Sequence, residues 1–61
     1  MITWMAVVHH FNGHYWKMSQ HRVEASSPWT AASRAAKAHH KKMHRYRERV
    51  VEMKVSIERI S

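Results

Sequence analysis

The segment ASSPWTAASRAAKAHHKKMHRYR, residues 25–47, decides the fold, because it predicts one long helix between two segments of a different character. Ser26 or Ser27 can cap the N-terminus by accepting from backbone N–H groups two or three residues further on. Pro28 suits the first helical position, where its missing N–H costs nothing and its φ is already helical. The alanines that follow have the highest intrinsic helix propensity. We therefore expect a helix over residues 27–47.

The charge of this segment is one-sided. It contains six Lys or Arg and no Asp or Glu over 23 residues. At 100° per residue, four basic residues fall within about 80° of one another, with His44 beside them. These four are Arg34, Lys37, Lys41 and Arg45. The opposite side consists of Trp29, Ala32, Ala36, His39 and Met43. We expect this second side to be buried, while the first carries positive charge that no acid four residues away neutralises.

The basic residues of the helix and of the segment after it are the candidate site for an anionic partner. The chain has 11 Lys or Arg against 4 Asp or Glu, a formal net charge of +7 with histidine neutral. The absence of acid from the helix favours a specific partner over a merely solvated face. The candidate residues are Arg34, Lys37, Lys41, Lys42, Arg45, Arg47 and Arg49.

Length and composition indicate one small domain, residues 1–61, of limited intrinsic stability. The chain has no cysteine, which excludes disulfides and thiolate metal sites and is compatible with a reducing cytoplasm. Residues 2–8 are apolar, but the run is too short to span a bilayer and lacks the basic start of a signal peptide. We expect a cytoplasmic protein without a membrane partner.

The dipeptide Asn12-Gly13 predicts a hairpin over residues 2–24, because it lies between two stretches rich in aromatic and aliphatic side chains. A type I′ turn needs φ > 0 at both central residues, and Asn-Gly is its preferred sequence. The strands are then about residues 2–11 and 14–24, with a bulge where residues 20–22 break the alternation. A two-residue turn at this position pairs Phe11 with His14, His9 with Trp16, Val7 with Met18 and, on the other face, Val8 with Lys17.

The last segment alternates apolar and polar residues with a period of two. Val51, Met53, Val55 and Ile57 alternate with Glu52, Lys54, Ser56 and Glu58, which predicts a third strand within residues 50–60. The order is therefore β-β-α-β, an α+β fold. The simplest topology is a three-stranded antiparallel sheet of order 2-1-3, with the most apolar strand in the centre and the helix on one face.

A single helix leaves the other face of this sheet uncovered. We expect that face to hold either Met5, Val7, Trp16 and Met18 or the set that includes Trp4. Exposed apolar patches on small proteins usually mark interaction sites, and Trp and Met are enriched at interface hot spots. The alternative is that these side chains wrap around the edges of a small core. The first set is the candidate interface for a partner or for a homodimer.

The seven histidines include two copies of the spacing His-His-x-x-x-His, at residues 9–14 and 39–44. His40 and His44 are four apart on the helix and could hold one metal ion between them, but no further ligand completes a four-coordinate site. We therefore expect no metal and no cofactor, and a packed role for His39. Lysine and arginine neighbours predict a lowered pKa for at least one helix histidine.

Catalysis has little support in the sequence. No nucleophile lies in a G-x-S-x-G motif and no glycine-rich loop is present to cradle a phosphate. A metal-free nuclease using His and Lys is the remaining enzymatic alternative, but so small a fold offers almost no concave pocket. We expect a protein that is not an enzyme.

The layout also resembles a known group of proteins. An aromatic-rich strand and hairpin, a second strand ending Val23-Glu24-Ala25, a helix beginning Ser-Ser-Pro-x-Thr-Ala-Ala, and a Val/Met/Ile strand are similar to small early proteins of tailed bacteriophages. The chain is similar in layout to a phage inhibitor of bacterial RNA polymerase and to certain small anti-CRISPR proteins. The polymerase inhibitor has an acidic helix, whereas this helix is basic, so the resemblance transfers no binding residue.

Two functions follow as hypotheses. The resemblance implies a non-enzymatic, phage-encoded protein that binds and inhibits or redirects a host nucleic-acid-processing machine in the bacterial cytoplasm, with the basic face docked on an acidic protein surface. The alternative is a nucleic-acid-binding module that makes sequence-independent phosphate contacts, helped by stacking of Trp or Tyr on bases.

Overall fold

The computed structural model describes all 61 residues as three strands and one helix. Strand β1 spans Ile2–Phe11, β2 spans Trp16–Ala25, helix α1 spans Pro28–Arg45 and β3 spans Glu52–Arg59. The sheet order is β2-β1-β3, and β1 is antiparallel to both neighbours. The predicted β-β-α-β order, α+β class and strand order 2-1-3 are confirmed. The helix is not long and apolar enough to cross a membrane.

The hairpin turn lies one residue later than the sequence predicts. Phe11 pairs with Trp16, so β2 begins at Trp16 rather than His14 and the predicted pairing of Phe11 with His14 is wrong. The reason is the side chain of Asn12, whose Oδ1 accepts from the backbone N–H groups of His14 and Tyr15 at 2.8 and 2.9 Å. Gly13, at φ +101°, takes the left-handed position in the loop. Each β1 residue therefore meets a β2 residue two places later than expected, which leaves every side chain on its predicted face.

The predicted bulge in β2 is absent, since the pairing with β1 runs without interruption from Trp16 to Ala25. The sequence pattern is irregular there because an imidazole occupies an inward position. His21 points under the helix, where it has a polar partner, whereas Gln20 and Arg22 point away.

The helix begins at the predicted cap. The Ser27 hydroxyl accepts from the backbone N–H of Thr30 at 3.3 Å, and Pro28 occupies the first turn. The buried positions follow a four-residue spacing: Ala31, Ala35, His39 and Met43. Trp29, expected on the buried side, is 76% exposed. At 100° per residue Trp29 lies about 100° from the middle of this buried row, so its indole points to solvent.

The helix ends in a Schellman motif rather than continuing to residue 47. The Glu48 N–H donates to the Met43 carbonyl at 2.8 Å, and the Arg47 N–H donates to the His44 carbonyl at 3.1 Å. Arg47 has φ +56°, the left-handed conformation that this motif requires and that glycine usually supplies.

The core lies between the helix and one face of the sheet, and its polarity changes along the helix. At the N-terminal end Trp4 packs with Ala25 and Ala31, and its indole Nε1 donates to the Ala25 carbonyl at 2.9 Å. In the middle, Ala6, Val8 and Ala35 form a second cluster. Beyond it the core contains the fully buried imidazoles of His10 and His39. The third strand contributes Val55 and Ile57, which are only half-buried.

Candidate anionic-partner interface

All seven predicted basic residues are exposed. Arg34, Lys37, Lys41 and Arg45 follow one another along the outer surface of α1 because successive members are three or four residues apart. We call these four the basic row. Lys42 lies on the flank toward β2, close enough to His21 to lower the pKa of that imidazole. On the same flank the Arg34 guanidinium donates to the Glu24 carbonyl.

Arg47 and Arg49 stand apart from the basic row, in the connection between α1 and β3. The Arg49 guanidinium reaches the hairpin loop, where its Nη1 would lie 3.7 Å from a Cβ at Gly13. The structure therefore brings five of the seven candidates together on one helix and places the other two beyond its C-terminal end.

The four glutamates are kept away from the basic row. Glu48 forms the only ion pair of the structure, with Lys17, and also accepts from the Asn12 side chain at 3.4 Å. The hydrogen bond from Lys17 is the main cause that lowers the pKa of Glu48, and the same contact raises the pKa of Lys17. The other three, Glu24, Glu52 and Glu58, lie on the sheet face opposite the helix. The lysines and arginines of the helix consequently have no ion-pair partner within the chain.

A shallow groove runs beside the basic row, between α1 and β3. It has a volume of about 410 Å³ and is lined by Ala36, Lys37, His40, Lys41 and Met53. Its lining is almost wholly apolar and consists of the Ala36 and Met53 side chains together with the hydrocarbon parts of the lysine and histidine side chains. This groove combines an apolar contact area with surrounding positive charge, and the helical projection alone did not reveal it because Met53 comes from β3.

His40 and His44 are exposed neighbours on the helix, with ring centroids 6.4 Å apart and nearly parallel planes. No group of three or more His, Cys, Asp or Glu side chains is arranged to hold a metal ion. The open surface around the pair is lined by His40, Lys41, His44 and Arg45.

Sequence reasoning missed a chain of three hydrogen-bonded histidines beneath the helix. His39 Nδ1 lies 3.3 Å from His21 Nε2, and His39 Nε2 lies 2.9 Å from His10 Nδ1. His10 Nε2 is buried without a partner. A buried acceptor without a donor costs less than a buried N–H without an acceptor, so His10 donates to His39 and His39 donates to His21. Strand parity was the available signal, because His10 is two residues from the inward-facing Val8 and His21 is two residues from the inward-facing Val23.

Two members of the histidine chain, His39 and His21, have a lowered pKa, which favours their neutral forms. Burial is the largest cause of the lowered pKa of His39, followed by His10, His21 and Lys42. Burial also lowers the pKa of His21, with a further contribution from Lys42. A helix histidine with a lowered pKa was expected from lysine repulsion, but desolvation is the stronger cause.

The second candidate interface is the sheet face that the helix leaves uncovered. Met5 and Val7 are half-buried on the central strand, whereas Trp16 and Met18 on β2 are 44% and 59% exposed. The structure decides between the two predicted sets, since the Trp4 set lies under the helix. The Trp16 ring packs on Phe11 at a centroid distance of 5.6 Å, and Lys54 Nζ lies 5.2 Å from its centroid.

No family model matches the chain, and no curated protein or solved structure shows significant similarity to it. The fold and the surface are therefore the only basis for assigning a class. The chain is a small α+β protein with a basic helical surface on one side and a mixed apolar and charged sheet face on the other.

Proposed function

We propose that this protein is a non-enzymatic binding protein whose basic helix face docks on an acidic surface of a host nucleic-acid-processing machine and inhibits or redirects it. The observation that carries the proposal is the basic row itself. The four cations run from Arg34 to Arg45, roughly 17 Å along the helix axis, without an acid in the chain to neutralise them. Holding like charges in a row lowers stability through mutual repulsion, and an anionic partner relieves that repulsion.

The groove beside the basic row favours a protein surface as the partner. Its apolar lining, which includes Ala36 and Met53, can receive an apolar side chain, while the ammonium groups of Lys37 and Lys41 can pair with carboxylates beside it. Protein interfaces typically combine a desolvated apolar centre with a charged rim, whereas a phosphate backbone offers no apolar group to fill such a groove. The β-β-α-β layout, similar to that of small phage early proteins, supports an origin in a phage and action in the host bacterial cytoplasm.

A non-enzymatic role is supported by the placement of the histidines. The His10–His39–His21 chain is the only hydrogen-bonded histidine cluster, and two of its members, His10 and His39, are fully buried. A general base must reach the proton that it removes, which these two buried imidazoles cannot do. His40 and His44 are exposed, but they lie on an open helix surface that does not enclose a substrate.

Charge reversal of the basic row tests the proposal. The variant Lys37→Glu/Lys41→Glu should lose capture of its target from nuclease-treated bacterial lysate while keeping its circular dichroism spectrum, because both side chains are exposed. Arg22→Glu/Lys54→Glu is the matched control, since it changes the net charge equally on the opposite face. Equal capture by both variants would contradict a site on the helix.

Direct binding to nucleic acid is the second candidate. Trp29 and Tyr46, near the two ends of the helix, are 76% and 66% exposed, and exposed aromatic rings of this kind can stack on unpaired bases. No Asn or Gln lies on the helix to read base edges. If about five phosphates are neutralised, log affinity should fall with log salt at a slope of about −4 to −5 for a duplex. Loss of capture on nuclease treatment, together with this slope, would select this candidate over a protein target.

A further inference from the structure

The uncovered sheet face differs in charge from the helix face. Its central row of side chains is apolar or neutral: Thr3, Met5, Val7, His9 and Phe11. Its flanks carry two basic and three acidic residues: Arg22, Lys54, Glu24, Glu52 and Glu58. In a chain with net charge +7, this face is therefore nearly neutral and contains three of the four acids. It does not resemble a surface for a polyanion.

The flanking charges lie at matched levels on opposite edges. Arg22 on β2 and Glu58 on β3 are both cross-strand partners of Met5. A two-fold axis parallel to β1, between two copies placed face to face, puts β2 of one copy over β3 of the other. Because the levels are preserved, Arg22 then faces Glu58 of the second copy, and the symmetric contact repeats the pair.

A second ion pair follows from the position of Lys54. Its Nζ reaches across the central strand to lie 5.2 Å from the Trp16 ring centroid. Trp16 and Glu52 are both cross-strand partners of Phe11, so the same axis brings Glu52 of the second copy over Trp16. Lys54 is thus already extended toward the place where that carboxylate would lie.

A two-fold axis perpendicular to the strands, at the level of Val7, satisfies only one of the two cations. It would place Lys54 against Glu58 of the second copy but Arg22 against Met18, at a level where β2 has no carboxylate. Burying an arginine without a partner is costly, and the axis parallel to β1 gives a carboxylate to both cations, so the charges favour that axis. Aligned sheets pack at about 30° to one another, which displaces facing residues near the centre by a few ångströms only and stays within the reach of Arg and Glu.

We propose that the uncovered sheet face binds a second copy of this chain, related by a two-fold axis parallel to β1, with Met5 and Val7 in the centre and the Arg22–Glu58 and Lys54–Glu52 pairs on the flanks. Three strands of eight residues cover a plane of about 14 by 27 Å, or about 400 Å² on each copy. Both copies together bury about 800 Å² or somewhat more, which is below the size of stable specific interfaces and within the range of weak, transient ones, so we expect a weak, concentration-dependent dimer.

The arrangement also keeps the basic faces apart. Each helix lies outside its own sheet, so the two helices are separated by three layer spacings, or about 30 Å. This is beyond the Debye length of about 8 Å at physiological ionic strength, so repulsion between the basic rows is largely screened. The dimer presents its two basic faces in opposite directions, each free for a partner.

Charge reversal with complementation tests the proposed interface by sedimentation velocity over about 5–500 µM, a range suited to a small interface. Arg22→Glu and Glu58→Arg alone should each weaken self-association at least tenfold, because like charges then face each other. An equimolar mixture of the two variants should associate again. In the mixed dimer, one contact joins the introduced glutamate to the introduced arginine. The other contact joins Arg22 of one variant to Glu58 of the other, as in the unaltered protein. The double variant Arg22→Glu/Glu58→Arg should also self-associate.

Lys37→Glu is the matched control, because it changes the charge as much as Arg22→Glu but on the helix, and it should dimerise like the unaltered protein. Circular dichroism checks that each variant is folded. A monomer at the highest concentration, self-association unaffected by either single reversal, or a mixture that stays monomeric would each overturn the proposal.

Discussion

Glycine at position 47 should make the protein more stable than alanine at the same position. Arg47 has φ +56° at the end of α1, a conformation that costs a residue with a Cβ about 1–2 kcal/mol. Glycine avoids this cost but loses more chain entropy on folding, which offsets about 0.4–1 kcal/mol. The comparison must remove the charge from both proteins, because a cation after the helix C-terminus itself contributes about 0.3–1 kcal/mol.

The matched variant is Arg47→Ala, which removes the same charge but keeps the Cβ. Arg47→Gly should exceed Arg47→Ala in free energy of unfolding by roughly 0.5–1 kcal/mol. For a chain of this length, 1 kcal/mol corresponds to about 4–8 °C in Tm. Urea unfolding followed by circular dichroism, with a common slope m, measures the difference directly.

An equal or lower stability of Arg47→Gly relative to Arg47→Ala would refute the Schellman geometry at this helix end. The same pair of variants separates stability from binding. Both should lose the same amount of affinity for an anionic partner if Arg47 contacts it, because the contact depends on the guanidinium and not on φ.

Four further predictions concern the core under the helix and the uncovered sheet face. The free energy of unfolding should fall as pH drops below about 6.5, because the lowered pKa values of His39 and His21 mean that the unfolded chain binds more protons there. His21→Gln should show a smaller drop between pH 7.5 and 5.5 in urea titrations, and an equal drop would contradict the assignment. Met43→Ala should cost about 2–5 kcal/mol because Met43 is buried under the helix. In dilute solution, Met18→Ala should change the unfolding free energy by less than about 0.5 kcal/mol, since Met18 is exposed in the monomer. At high concentration, Trp16→Ala and Met18→Ala should both weaken self-association, and sedimentation that matches the unaltered protein would remove these residues from the interface.

Local signals were sufficient for the elements and their order. The predicted bounds of β1, about residues 2–11, agree with the structure, Ser27 is one of the two predicted caps, and Pro28 lies at the helix start as predicted. The period-two pattern placed Val55 and Ile57 on the helix side of β3. These features depend on neighbours within a few residues along the chain, and chain direction then left few topologies for three strands and one crossover.

The turn, the buried face of the helix and the histidine chain were decided by tertiary structure. The dipeptide Asn12-Gly13 predicted the centre of the turn. In the structure the Asn12 side chain caps the loop, and the centre of the turn lies at Gly13-His14. Trp29 was projected onto the buried side by helical periodicity alone, which does not fix where the middle of the buried face lies. His10, His21 and His39 are 29 residues apart at the extremes and meet only when three elements pack.

The sequence alone therefore determined the fold class, the strand order and the basic row, because each depends on periodicity, caps and charge along a single element. The tertiary structure decided which side chains share a face across different elements: Met53 with Ala36 in the groove, and Arg22 with Glu58 at one level of the uncovered face. Pairing register and layer spacing govern those juxtapositions, and both depend on side-chain volume and hydrogen bonding between segments distant in the chain.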